Sequence, residues 1–204
     1  MIGIVDYGSG NVRAIWNIYH ALDVPCAVVR TPAEVRAAER LVLPGVGAFD
    51  HAVAELERSG VRAALDERVL GDRVPLLGIC VGMQLLGRAS EEGVRPGLGW
   101  IDAEVRRFRR PEDVARLDLP HMGWNDVAPT REHPLFQDLD LASGYYFLHS
   151  YFVACAREED VLARTTYGVP FACAVHQGNI HGVQFHPEKS HEAGIGLLRN
   201  FARL

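Results

Sequence analysis

Pro75-Leu76-Leu77-Gly78-Ile79-Cys80-Val81-Gly82-Met83-Gln84-Leu85-Leu86 runs from an apolar segment into the opening of a helix, with a cysteine at the join. Pro75-Leu76-Leu77 has the length and bounds of a buried strand, and Met83–Leu86 predicts the first turns of a helix. Glycines stand two residues before and two residues after Cys80, which is the pattern of a nucleophile elbow. A sharp strand-to-helix turn brings backbone against backbone, where a Cβ would collide. The start of the helix offers N–H donors and the positive end of its dipole. The same surroundings also suit an unreactive cysteine packed in a sheet.

Working outward, the chain alternates strands and helices. Ile2-Gly3-Ile4-Val5 predicts a strand closed by Asp6-Tyr7-Gly8-Ser9-Gly10, and Asn11 is placed to cap a helix running to about Leu22. Ala27-Val28-Val29 is the next strand, with Thr31-Pro32 as cap and first turn of a short helix. Arg40-Leu41-Val42-Leu43 is a third strand, stopped at Pro44-Gly45. A helical region from Asp50 to Leu70, broken near Ser59-Gly60, leads to the strand before Cys80. This order predicts an α/β fold: an open, mostly parallel sheet with helices on both faces. After Gly97 the rhythm changes. Ala103–Phe108, Tyr145–Val153, Val161–Thr166, Phe171–His176 and Asn179–Phe185 read as strands without intervening helices, an antiparallel or mixed extension of the sheet. A helix from Glu192 to Leu204, capped from Ser190-His191, ends the chain. With no repeat or linker, residues 1–204 read as one domain.

Composition narrows the chemistry. The 204 residues are 48% hydrophobic and 23% charged, with a net charge of −5, as in ordinary globular proteins. Arg106-Arg107 and Arg109-Arg110, around Phe108, form the only dense basic cluster. We read it as a solvated edge and nucleic acid as excluded. Cys26, Cys80, Cys155 and Cys173 form no CxxC pair, and the N-terminus lacks a signal peptide pattern; a reducing, cytoplasmic setting is expected. No apolar run has membrane-span length.

A catalytic cysteine needs a base, an orienter for that base, and oxyanion donors. Of nine histidines, His186 in Gly182-Val183-Gln184-Phe185-His186-Pro187-Glu188 fits best. Pro187 drives His186 toward extended backbone, and two-residue spacing sets Glu188 on the same face. The glutamate would then hold one ring nitrogen and leave the other for the thiol. His181 falls on the opposite face by the same parity. No second ligand at metal spacing accompanies His186, so neither a metal nor another cofactor is expected. The Val81 N–H follows the nucleophile as one oxyanion donor. Pro44-Gly45-Val46-Gly47, at the C-terminal end of the third strand, is the source of a second.

These three blocks, Pro44–Gly47, Gly78–Gln84 and His186–Glu188, resemble the class I glutamine amidotransferases. Asp6–Asn11, His121-Met122-Gly123-Trp124-Asn125, Tyr145–Tyr151 and Lys189-Ser190 are similar to the glutaminase subunits of imidazole glycerol phosphate synthases, and the resemblance runs nearly end to end. It implies a flavodoxin-like fold in which Cys80 attacks the glutamine side-chain amide, His186 handles the protons and Glu188 orients His186. Val81 and the Val46-Gly47 loop become the oxyanion hole, and Gly47, Gln84, Ser150 and Tyr151 hold glutamine. The resemblance further implies that the loop acts as a switch, thrown when the partner's nucleotide binds. Ammonia released into neutral water is protonated and inert as a nucleophile. The chain leaves no room for a synthase domain after Glu188, so an acceptor in trans is expected. The implied partner is a (β/α)8-barrel cyclase subunit, with Asn11, Trp124, Tyr145 and Lys189 as candidates for its docking face. Val81 stands where the family commonly has leucine, and the Arg110–Asp118 segment is less like the family. Glutaminases serving pyridoxal phosphate, anthranilate or guanylate synthesis, and cysteine peptidases or γ-glutamyl hydrolases, are the competing classes.

Overall fold

In the computed structural model, which describes residues 1–109 and 117–204, nineteen helices and strands of the described chain frame the site. The first half comprises β1 (Ile2–Val5), α1 (Val12–Ala21), β2 (Cys26–Val29), α2 (Pro32–Ala37), β3 (Arg40–Gly45), α3 (Phe49–Ser59) and α4 (Arg62–Asp66). It closes with β4 (Leu76–Cys80) and α5 (Val81–Leu85). Then follow β5 (Ala89–Ser90), β6 (Ala103–Arg107), β7 (His121–Asn125), β8 (Ala128–Pro129), β9 (Tyr145–His149) and β10 (Tyr151–Cys155). The last elements are β11 (Val161–Tyr167), β12 (Val169–Gln177), β13 (Ile180–Val183) and α6 (His191–Phe201).

The main sheet runs β2-β1-β3-β4-β13-β12-β10-β6-β5, with β11 paired to β12 and β8 paired to β11. Its β2-β1-β3-β4-β13 half is parallel, and β13-β12-β10-β6 is antiparallel. Near-continuous apolar runs build the parallel half because both faces are covered. Every residue of β1 and β4 is buried, as are Leu41, Val42 and Leu43 of β3. α1 packs with α6, while α2 packs with α4 and α3 with α5, so the crossovers cover both faces. The sheet predicted from sequence is therefore present, parallel first and antiparallel after.

Local signals explain several element ends. Thr31 accepts from the Glu34 N–H while Glu34 accepts from the Thr31 N–H, a complete capping box on α2. Gly60 at φ +74° ends α3 in the left-handed region. Asn11 differs from expectation: its side chain makes no cap bond to α1 and reaches Glu188 instead. Ser190 likewise does not cap α6; its hydroxyl donates to His186 O at 2.6 Å. The single strand expected over Tyr145–Val153 is two, because Ser150 separates β9 from β10. β9 leaves the main sheet to pair with β7, which periodicity does not predict. Arg109 pairs with Glu91 at 3.0 Å and Arg106 with Glu104 at 3.7 Å around a buried Phe108, which fits a solvated edge. Arg110, and residues 110–116 of the divergent segment, lie outside the described residues. Among the described residues no helix is long and apolar enough to cross a membrane.

Candidate active site

β4 delivers Cys80 to the C-terminal edge of the sheet, opposite Gly45 of β3. The chain reverses there with Cys80 at φ 54° and ψ −112°, a conformation that non-glycine residues adopt only when their surroundings enforce it. The flanking glycines are what enforce it. A Cβ on Gly82 would sit 1.9 Å from Leu43 O, and one on Gly78 would sit 2.7 Å from Gly82 O. The elbow is thus wedged against β3 by backbone alone.

His186 follows β13, and its N–H donates to Tyr146 O at 2.8 Å. Its Nδ1–H donates to Glu188 Oε1 at 2.9 Å, with both side chains buried. The geometry behind this contact is not the extended one predicted from parity. His186 is extended, but Pro187–Lys189 is a 3₁₀ turn that swings the Glu188 carboxylate back to the ring. Asn11 Nδ2 adds a donor to the same oxygen at 3.4 Å. Burial pushes the His186 imidazole down. Hydrogen bonds to Cys80 and Glu188, and the charges of both, outweigh that and raise its pKa to about 10. These partners hold His186 toward its imidazolium form, and with Nδ1–H committed to Glu188 the other ring nitrogen is left to exchange a proton.

A cavity of about 340 Å³ opens over this set. Val46, Gly47, Val81, Gln84, Ser150 and Tyr151 line it beside Cys80 and His186, so every sequence-predicted oxyanion and substrate residue is at the site. Helix geometry leaves the Val81 N–H without an intrahelical acceptor. The Val46 N–H is committed elsewhere: it donates to Ser9 Oγ at 3.0 Å, while the same hydroxyl donates to Val46 O at 2.9 Å. The N–H expected as a second oxyanion donor is thus tied down, a departure from the expected hole. Gly47, at φ +85° with open space where a Cβ would be, is the joint beside it.

Two features of the site escaped the sequence. Gln184 Nε2 donates to Cys80 Sγ at 3.7 Å and its Oε1 accepts from Gln84 Nε2 at 3.2 Å. Its position two residues before His186 was the available signal. Glu92 also lines the cavity and accepts the Phe49 N–H at 2.9 Å. Sequence offered no local cue for it.

Of the docking candidates, Trp124 is 48% exposed and Lys189 lies over the Tyr146 ring, 5.5 Å from its centroid. Tyr145 is a correction: it is wholly buried, packed 4.2 Å from the Phe185 ring, so it cannot face a partner. Strand alternation in β9 turns Tyr146 outward instead, toward Lys189 and Trp124. The remaining cysteines are poor nucleophiles. Burial raises Cys26 and Cys173 and pushes Cys155 up to about 12. Elsewhere His133, His176 and His181 come within 4.8 Å, close enough to consider a metal. Both ring nitrogens of His176 are engaged, by Arg131 and by Gly178 O, while Nδ1 of His133 accepts the Leu135 N–H and Nδ1 of His181 meets Leu76 O.

A cysteine at a strained elbow, a histidine and a buried carboxylate can attack a carbonyl carbon and protonate the leaving group. Comparison with known proteins narrows this chemistry. The family model of glutamine amidotransferase class-I matches residues 3–203. The subunit HisH of imidazole glycerol phosphate synthase from Bdellovibrio bacteriovorus is 51% identical over 204 residues, covering all of both chains. The chain belongs to the HisH family of class I glutamine amidotransferases. The HisH subunit from Leptospira interrogans is 45% identical, again with complete coverage of both chains. Among solved structures, a putative GMP synthase protein from Thermoplasma acidophilum superposes with a TM-score of 0.72 at 21% identity, over 99% of this chain and 92% of that one. The glutaminase domain of Trypanosoma brucei CTPS matches with a TM-score of 0.65 at 18% identity, over 99% and 93%. These two show that the chain has the amidotransferase fold.

Proposed function

We propose that this chain, residues 1–204, is the cytoplasmic glutaminase subunit of an imidazole glycerol phosphate synthase. It hydrolyses glutamine to glutamate and ammonia and passes the ammonia to a (β/α)8-barrel cyclase. The cyclase forms imidazole glycerol phosphate and aminoimidazole carboxamide ribotide in histidine biosynthesis. The observation that carries this reading is the Cys80–His186–Glu188 set at one cavity, in a chain that matches HisH relatives from end to end.

In the reaction, Cys80 Sγ bonds to the glutamine side-chain carbonyl carbon, and the negative oxygen faces the Val81 N–H. His186 gives its proton to the amide nitrogen, the C–N bond breaks and ammonia leaves. Water then attacks the γ-glutamyl thioester, His186 takes the water's proton, and the C–S bond breaks to release glutamate. Glu188 keeps the ring in the productive tautomer throughout. Gln84 and the Ser150-Tyr151 backbone hold glutamine, and the Glu92 carboxylate is the natural counter-charge for its α-ammonium. Asn11, Trp124 and Lys189, with Tyr146 in place of Tyr145, form the docking face.

The tethered Val46 N–H makes the resting chain a weak enzyme. One missing oxyanion donor costs about 10²–10³ in kcat. Glutamine hydrolysis should therefore be slow for the chain alone and rise by about that factor when the cyclase and its nucleotide substrate are added. Full activity in the isolated chain, unmoved by either addition, would contradict the proposal.

A further inference from the structure

Two histidines beside the cavity, His121 and His149, take no part in the steps above. Both are buried, among the rings of Phe147, Tyr167 and Phe171. Their protons are fixed from both ends. Asn125 Oδ1 accepts the Asp126 N–H and its Nδ2 donates to Thr166 O, each at 2.9 Å, so this amide has one orientation. Its Nδ2 also lies 3.3 Å from His121 Nε2, which must accept. His121 consequently carries its proton on Nδ1 and donates to His149 Nε2 at 3.1 Å. His149 then donates from Nδ1 to Tyr151 O at 2.7 Å, and a carbonyl can only accept. Read from either end, the chain gives the same tautomers. Burial keeps both rings neutral, with His121 pushed down to about 4 and His149 to about 3.

Tyr151 O is also where Gln84 Nε2 donates, at 3.2 Å. The other Gln84 N–H goes to Gln184 Oε1, which leaves Gln184 Nε2 for Cys80 Sγ. One backbone carbonyl therefore orients two amides, one lining the glutamine cavity and one touching the nucleophile. Resting on the glutaminase reading, we propose that His121 and His149 are positioning residues that clamp the Ser150–Tyr151 backbone of the glutamine subsite through Tyr151 O. Neither exchanges a proton with substrate. They act by leaving that carbonyl one place to be.

Glutamine kinetics of the chain bound to its cyclase partner tests this. Asparagine puts a donor where His Nδ1–H lies, whereas glutamine reaches only the Nε2 position. His149→Gln should raise KM for glutamine roughly tenfold, the worth of about one buried hydrogen bond, with kcat changed less than about threefold. His149→Asn should stay within about threefold of the parent KM. Equal KM in all three proteins overturns the proposal, and so does an equal rise in both variants, which marks mere packing. Should substitutions at 149 unfold the chain, nitrogen-15 NMR of the unsubstituted protein decides. Neutral Nδ1–H tautomers for both rings at pH 7 support the clamp; an Nε2–H tautomer or an imidazolium at either overturns it. Absence of any glutamine hydrolysis by the parent complex would instead sink the glutaminase reading itself.

Discussion

Replacing Gly82 with alanine places a Cβ 1.9 Å from Leu43 O, 2.9 Å from Leu43 C and 3.2 Å from Pro44 C. A relaxed carbon–oxygen contact needs about 3.3 Å, so the elbow and β3 must separate by about 1.4 Å. All three obstructing atoms belong to the backbone, so no side-chain rotation relieves the clash. Strain of this kind typically costs about 1–3 kcal/mol of stability. The larger effect falls on chemistry, because the displaced turn carries Cys80, and a 1 Å misplacement of a reacting group costs about 10²-fold. Gly82→Ala should therefore lower glutamine hydrolysis by the assembled enzyme about 10²-fold or more, while ammonia-dependent synthesis by the partner persists. Gly60→Ala is the control. Gly60 has φ +74° with nothing near its Cβ position and ends α3, outside the residues that line the Cys80 cavity. It should cost about 1–2 kcal/mol in urea denaturation and leave hydrolysis unchanged. Gly82→Ala with parental glutaminase activity would refute the wedge argument.

Ser9→Ala removes the hydroxyl that holds both the N–H and the C=O of Val46. Hydrolysis by the isolated chain should rise about tenfold, a part of what one oxyanion donor is worth, and an unchanged or lower rate would contradict the tether. Acid should destabilise the fold. His149 and His181 are held down to about 3 by burial, whereas an unfolded imidazole titrates near 6.5. Between those values the unfolded chain binds protons that the folded chain refuses. The contribution of these two histidines is full above about pH 6.5 and falls as pH drops, by up to about 1.4 kcal/mol per pH unit for each. Urea midpoints at pH 7.5 and pH 5 measure this, and identical midpoints would contradict it.

The elbow was legible because every determinant is local: an apolar strand, two glycines at fixed spacing and a helix start. His186 was legible for the same reason, through Pro187. Glu188 reached the right partner by a different route, since a 3₁₀ turn rather than an extended step brings it back. Tyr145 failed because Tyr-Tyr-Phe-Leu-His is apolar on both faces, so alternation alone cannot say which residues face inward. β7 gave no signal because His-Met-Gly-Trp-Asn buries only its first residue. Ser9 and Glu92 act across long sequence separations, with Ser9 and Val46 being 37 residues apart. No local pattern encodes such contacts.

The central claim is that Cys80 attacks glutamine and serves only as a source of ammonia for another chain. Cys80→Ala in the complex with the cyclase measures it most directly, by imidazole glycerol phosphate formation from glutamine and, separately, from ammonium salt. The account predicts that the glutamine-dependent reaction disappears and the ammonia-dependent reaction continues at the parental rate. Persistence of glutamine-dependent synthesis, or loss of both reactions in a folded complex, would contradict it.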